Sequence, residues 1–134
     1  MPSRLGAAAW AAILAALLTP AVGGAPDSAS SEIVVQISLT AGLRYHDAKA
    51  VWDEMRVGDA LTLVREPANP YDSNAVRVEW NGHQLGYIPR AENEAIARQM
   101  DRGNRLQARI ASLTKYRNHR RKLEFEVFLP LAAR

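Results

Sequence analysis

The dipeptide Asn81-Gly82 stands between two strand-like runs, AVRVEW and HQLGYI, and it constrains the fold of this chain more than any other feature. Both residues accept the positive φ that a type I′ turn requires, so a tight β-hairpin is predicted. In its first arm Val76, Val78 and Trp80 alternate with Arg77 and Glu79, which gives one face to a core and the other to water. Gly86, inside the second arm, lacks a side chain and marks a bulge or the close approach of another backbone.

Other segments read in the same way. EIVVQISL (Glu32 to Leu39), ALTLV (Ala60 to Val64), RLQARIASL (Arg105 to Leu113) and KLEFEVFL (Lys122 to Leu129) are predicted strands, the last with Leu123, Phe125, Val127 and Leu129 inward. Asp47 is placed to cap a short helix through Met55 whose apolar face is Ala48, Val51, Trp52 and Met55, and Gly58 stops it. A second helix is predicted from Ala91 to Arg102, with Ile96 and Met100 on one stripe and Gly103 as its stop. Five or six short strands leave many edges, which closure into a barrel removes. The expected fold is therefore mainly β: a small OB-like or SH3-like β-barrel of five to six strands with two short inserted helices. An open α+β sheet is the alternative.

Residues 1–25 read differently. One cation, Arg4, precedes an uncharged apolar run from Leu5 to Leu18, then Pro20 and the small residues Ala21, Gly23, Gly24 and Ala25. This is the layout of a signal peptide, with cleavage near Gly24 or Ala25. The run is shorter than the roughly twenty residues of a membrane span, and a retained anchor is the other reading. Residues 26–31 form a linker and residues 32–131 a single domain. The expected location is periplasmic or secreted; translation from a start downstream of the leader places the domain in the cytoplasm. The chain has no cysteine, which excludes disulfides, thiolate metal sites and a cysteine nucleophile.

The formal net charge is +3, but it is unevenly spread. Arg98, Arg102, Arg105, Arg109, Lys115, Arg117, Arg120, Arg121 and Lys122 fall in one window with a single acid, Asp101, while the rest of the domain is net acidic. Such asymmetry points to a polyanionic partner. Catalytic chemistry is not evident: His46, His83 and His119 are far apart, and there is no H-E-x-x-H, G-x-S-x-G or glycine-rich phosphate loop. A monomeric binding module without cofactor or metal is expected, rather than an enzyme.

One stretch carries more chemistry than a connector needs. REPANPYDSNAV, Arg65 to Val76, holds turn-forming Pro, Asn and Asp together with an Arg, a Tyr and a carboxylate. Asp72 and Asn74 are also residues that bond the backbone of turns, and Arg65 and Glu66 read as a solvent-side pair at a strand end.

Taken in order, LTAGLRYHD, GDALTLVREPANPYDSNAVRV and GHQLGYIPR closely resemble the HIRAN domain family, and the resemblance extends from Ile33 to Leu131. It implies a small β-barrel related to the oligonucleotide-binding fold, which in some relatives holds the 3′ end of single-stranded DNA. It further implies a nucleic-acid site with Arg44 and Tyr45 on one side, Asn69, Tyr71 and Asp72 on the other, and Tyr87 and Arg90 along the strand path. Tyrosine faces suit base stacking, arginines suit phosphate oxygens, and Asp72 suits a terminal hydroxyl that donates to it. Ala68 departs from the family pattern, standing where many relatives carry a polar residue. The expected partner is single-stranded DNA or another polyanion. The alternative is an exported envelope protein that uses the barrel and the basic loop to bind a protein or an anionic polymer.

Overall fold

The predicted hairpin forms as β3 (Ala75–Trp80) and β4 (His83–Tyr87), with Asn81 at φ 45° and Gly82 at φ 83° between them. The computed structural model describes residues 31–131; the leader and most of the linker read from the sequence lie outside the described residues. Around the hairpin are β1 (Glu32–Leu39), β2 (Ala60–Glu66), β5 (Gln107–Lys115) and β6 (Arg121–Pro130), all antiparallel in the order β1-β6-β5-β2-β3-β4. The sheet turns a corner at β2, which pairs with β5 only through Ala60 and Leu61 but with β3 over five residues.

Closure happens just beyond β1. Ala41 bridges Tyr87 of β4, its amide donating to the Tyr87 carbonyl at 2.8 Å and its carbonyl accepting from the Tyr87 amide at 3.0 Å. Gly86 makes this possible, since a Cβ there would lie 2.3 Å from the Ala41 carbonyl oxygen and 2.7 Å from Thr40 Cγ2. Both readings of Gly86 are borne out, because the register also slips next to it, where Leu85 is left without a partner on β3.

The core comes from the inward faces that alternation assigns. Val76, Val78, Leu85, Phe125 and Val127 are fully buried, joined by Leu61, Ile110 and Leu123. Leu129 is only half-buried, and its neighbour Phe128 is buried instead, under the Arg109 guanidinium at 4.3 Å from the ring centroid. Arg109 is held there by Glu126 and Glu32. β1 is an edge strand whose Ile33, Val34, Val35, Ile37 and Leu39 stay exposed.

The first predicted helix is shorter than expected. It is one α-helical turn, α1 (Ala48–Val51), continued by a 3₁₀ turn, Trp52–Glu54, yet all four residues of the expected apolar face are buried. The Asp47 side chain makes no cap bond; its backbone carbonyl accepts from the amides of Ala50 and Val51 instead. The second helix is broken near its start: a 3₁₀ turn, Arg90–Glu92, is separated by Asn93 from α2 (Glu94–Asp101). Ile96 and Ala97 of α2 are buried, with Met100 packed partly against them.

Candidate functional site

Pro67 ends β2, because proline has no N–H to offer the sheet ladder, and the chain then makes three linked turns before β3. The Asn69 amide donates to the Glu66 carbonyl at 3.1 Å, that of Asp72 to Asn69 at 3.4 Å, and that of Ala75 to Asp72 at 3.1 Å. Two side chains brace the turns in the way short polar residues do. Asn69 Oδ1 accepts from the Tyr71 amide and Asp72 Oδ1 from the Asn74 amide, each at 2.9 Å. Of the two residues read as bracing the turn, Asp72 does so through its side chain, and Asn74 supplies the amide.

This turn faces β4 across a pocket of about 410 Å³, lined by Ala41, Asn69, Pro70, Tyr71, Asp72, Ala75, Tyr87, Ile88 and Arg90. Five of the seven residues expected at the site are therefore brought together at the seam where the sheet closes. The other two, Arg44 and Tyr45, sit on the 3₁₀ turn Leu43–Tyr45 and line an adjoining cleft with Thr40 and Gly42. Tyr71 is 84% exposed and Tyr45 is 70% exposed, so neither ring is spent on the core. Arg44 stacks on the Tyr45 ring at 4.8 Å and donates to its hydroxyl at 2.6 Å.

Three residues that sequence reasoning did not place at the site support it from behind. Glu66 Oε1 accepts from Asn69 Nδ2 and from the Tyr87 hydroxyl, both at 3.0 Å, while Oε2 accepts from Arg77. Arg77 is itself held by Glu79 at 2.7 Å. Glu66 is not a solvent-side partner of Arg65, because adjacent strand residues point to opposite faces. Arg65 instead forms a bidentate pair with Asp101 of α2, at 3.0 and 3.1 Å. The third residue is Asn93, which is 1% exposed and donates its Nδ2 to Asp72 Oδ2 at 2.7 Å. The turn that carries Arg90 is tied to β1 by Ser38, whose hydroxyl donates to Glu92 Oε1 at 2.7 Å, and by Gln36, which donates to the Glu92 carbonyl.

Burial alone would raise the Glu66 carboxyl, but hydrogen bonds from Asn69 and Tyr87 and the charge of Arg77 outweigh it and hold the group below its ordinary value of 4.5. Burial, and then the hydrogen bond to Glu66, pushes the Tyr87 phenol above its usual value, so Tyr87 remains a donor. A carboxyl depressed on folding stabilises the fold above its unfolded pKa and loses that contribution as pH falls through the folded value. Glu66→Gln is accordingly expected to melt below wild type at pH 7, with the gap narrowing as pH drops beneath about 4.5. Melting curves of both proteins from pH 7 to pH 3 check this; a gap that stays constant would show that the Glu66 charge contributes nothing.

Fold and site together define a small β-barrel binding module with its pocket at the closing seam. The HIRAN domain family matches residues 33–132, and the chain belongs to that family. The chain is 34% identical over 77 residues to a Fanconi-associated nuclease 1 homolog of Oryza sativa subsp. japonica, covering 54% of this chain and 8% of that protein. It is 44% identical over 61 residues to the helicase-like transcription factor of Mus musculus, covering 45% of this chain and 6% of that protein. The chain thus corresponds to less than a tenth of either relative. Among solved structures, a protein from Lactobacillus plantarum superposes with a TM-score of 0.63 at 32% identity, over 75% of this chain and 99% of that one. The HIRAN domain of human HLTF superposes with a TM-score of 0.55 at 23% identity, over 73% of this chain and 79% of that one.

Proposed function

We propose that this domain binds single-stranded DNA and receives the strand's 3′ end in the pocket between the 67–74 turn and β4. The observation that carries the reading is the juxtaposition of an exposed aromatic face, Tyr71, with the carboxylate of Asp72 in one pocket. A terminal base stacks on Tyr71, a contact worth roughly 1–3 kcal/mol whatever the base. The 3′ hydroxyl donates to Asp72, whose oxygens each accept one bond from the protein and keep a free lone pair. A phosphodiester in that position would be repelled by the carboxylate, so the pocket selects an end over an internal nucleotide. Arg90 meets a phosphate oxygen and fixes register without reading sequence.

Titration of a labelled 3′-hydroxyl oligonucleotide at two ionic strengths tests the reading. Affinity is expected to fall linearly on a log–log scale as salt rises, with a slope of roughly −0.7 per phosphate engaged. Tyr71→Ala is expected to bind roughly tenfold more weakly to any strand end, since only the stacking face is removed. No binding at low salt would overturn the assignment, as would an unchanged affinity in Tyr71→Ala.

We further propose that residues 1–25 act as an export leader, on the strength of the Arg4 cation, the apolar run and the small residues that follow it. Intact-mass measurement of the native protein is expected to show a chain beginning near Ala25; the full-length mass would contradict export.

A further inference from the structure

Asn93 stands at the N-cap of α2, a position where asparagine normally accepts a bond from an amide of the first turn. Here its side chain makes no such bond. It is 1% exposed and donates instead to Asp72 Oδ2 at 2.7 Å, so the chain gives up a cap to reach a carboxylate 21 residues away. The 67–74 turn does not need this bond to hold its shape. Three backbone bonds between Glu66 and Ala75 already close it, and Asp72 Oδ1 braces it through the Asn74 amide at 2.9 Å. What the second bond fixes is the carboxylate itself. The last torsion of an aspartate is broad and roughly two-fold, so a carboxylate held by one oxygen pivots about that bond, whereas one held by both keeps its plane. Asp72 lines the end pocket between the turn and β4 and Asn93 does not, which puts the donor behind the carboxylate and leaves the remaining lone pairs to the pocket.

The donor is anchored in its turn. Asn93 follows the 3₁₀ turn Arg90–Glu92, which β1 holds at two points: Ser38 Oγ donates to Glu92 Oε1 at 2.7 Å and Gln36 Nε2 to the Glu92 carbonyl at 3.1 Å. Ser38 also accepts from Gln36 Nε2 at 2.8 Å. Burying a polar group costs free energy unless its bonds are met. Among the described residues only two polar ones are buried, Ser38 at 3% exposed and Asn93 at 1%, and both belong to this line of support from β1 to Asp72.

We propose that Asn93 is the positioning residue of the end pocket: by holding Asp72 Oδ2 it locks the carboxylate in the orientation that accepts a 3′ hydroxyl, and β1 sets Asn93 in place through Ser38 and Gln36. The inference rests on the end-binding reading and deepens it, since it assigns the choice between a hydroxyl and a phosphate to a side chain that touches neither. A binding group discriminates well only when bonds from the residues behind it hold it within roughly 10–20° of its productive geometry. An unlocked carboxylate pivots about its bond to the Asn74 amide. It then meets the hydroxyl in fewer of its orientations and yields to an incoming phosphate oxygen.

Asn93→Ser separates positioning from bracing. Serine is a favourable N-cap residue and its hydroxyl falls one bond short of Asp72, so the variant is expected to melt within a few degrees of wild type while lacking the lock. Paired titrations of one eight-nucleotide sequence, ending in a 3′ hydroxyl or a 3′ phosphate, are expected to show several-fold weaker binding of the hydroxyl strand and unchanged or tighter binding of the phosphate strand. A residue that only braces the fold would weaken both alike. In an Asp72→Asn background, where the charge is already gone, Asn93→Ser is expected to leave the ratio of the two affinities where Asp72→Asn alone puts it. Ser38→Ala removes one anchor of the turn and leaves the pocket lining intact, and it is expected to move the ratio in the same direction by a smaller factor; an unchanged ratio there would overturn the part given to β1. An unchanged ratio in Asn93→Ser, or equal weakening of both strands, would overturn the positioning role and leave the end reading standing. A wild type without preference for the hydroxyl would overturn both.

Discussion

Gly86→Ala is expected to cost about 3 kcal/mol, a fall in melting temperature of roughly 15 °C for a domain of this size. The added Cβ would sit 2.3 Å from the Ala41 carbonyl oxygen, and that oxygen is backbone, fixed by the bond it accepts from Tyr87 at 3.0 Å. Relief requires β4 to move away from Ala41, which opens the seam and breaks the paired bonds that close the sheet. Because Ala41 and Tyr87 both line the end pocket, oligonucleotide affinity is expected to fall with stability. Gly82→Ala is the control. Nothing lies within 4 Å of a Cβ there, so only the left-handed backbone at φ 83° is penalised, at about 1–2 kcal/mol. Calorimetry on the two variants decides the matter: equal losses would mean that close approach at residue 86 is not what holds the barrel shut.

Asp72→Ala is expected to destabilise the domain by about 2–4 kcal/mol, more than an ordinary turn residue would. Two bonds disappear, one from the Asn74 amide and one from Asn93 Nδ2, and the second leaves a polar group stranded on a residue that is 1% exposed. Asp72→Asn behaves otherwise. Its carbonyl oxygen still accepts from the Asn74 amide, and an amide flip at Asn93 turns the clash of two donors into a hydrogen bond. This variant is expected to melt within a few degrees of wild type while lacking the negative charge that repels an internal phosphate. Thermal melts of the two proteins check the contrast; equal destabilisation would mean that Asp72 does not support Asn93.

The hairpin and the alternating buried faces of β3 and of β6 as far as Val127 were legible in the sequence because each depends on neighbours one to four residues away, whereas Gly86 was legible only as a missing side chain, its partner Ala41 being distant in the chain. Asn81-Gly82 carries its turn in its own backbone preferences, and alternation names Val76 and Val78 as core without reference to other strands. The supporting residues behind the pocket were not legible. Glu66 reads as a surface acid at a strand end, and only the register that sets it beside Arg77, together with the seam that brings Tyr87 to it, makes it the centre of a network. Asn93 lies within a run that looks helical throughout. It interrupts that run because its side chain is committed to Asp72, 21 residues away. The basic window reads as one patch in the sequence, but Arg98 pairs with Glu94 and Arg109 with Glu32 and Glu126 once strands and helix are placed, while Arg120 and Arg121 line a cleft with Arg44.

In the proposed function, Asp72 accepts a hydrogen bond from a free 3′ hydroxyl. Paired titrations of one sequence carrying either a 3′ hydroxyl or a 3′ phosphate, against wild type and Asp72→Asn, test it most directly. Wild type is expected to prefer the hydroxyl by at least about tenfold, the scale of one charge-assisted hydrogen bond, and Asp72→Asn is expected to bind the two nearly alike. A wild type that binds both ends equally, or an Asp72→Asn protein that still discriminates between them, would show that Asp72 does not select the 3′ hydroxyl.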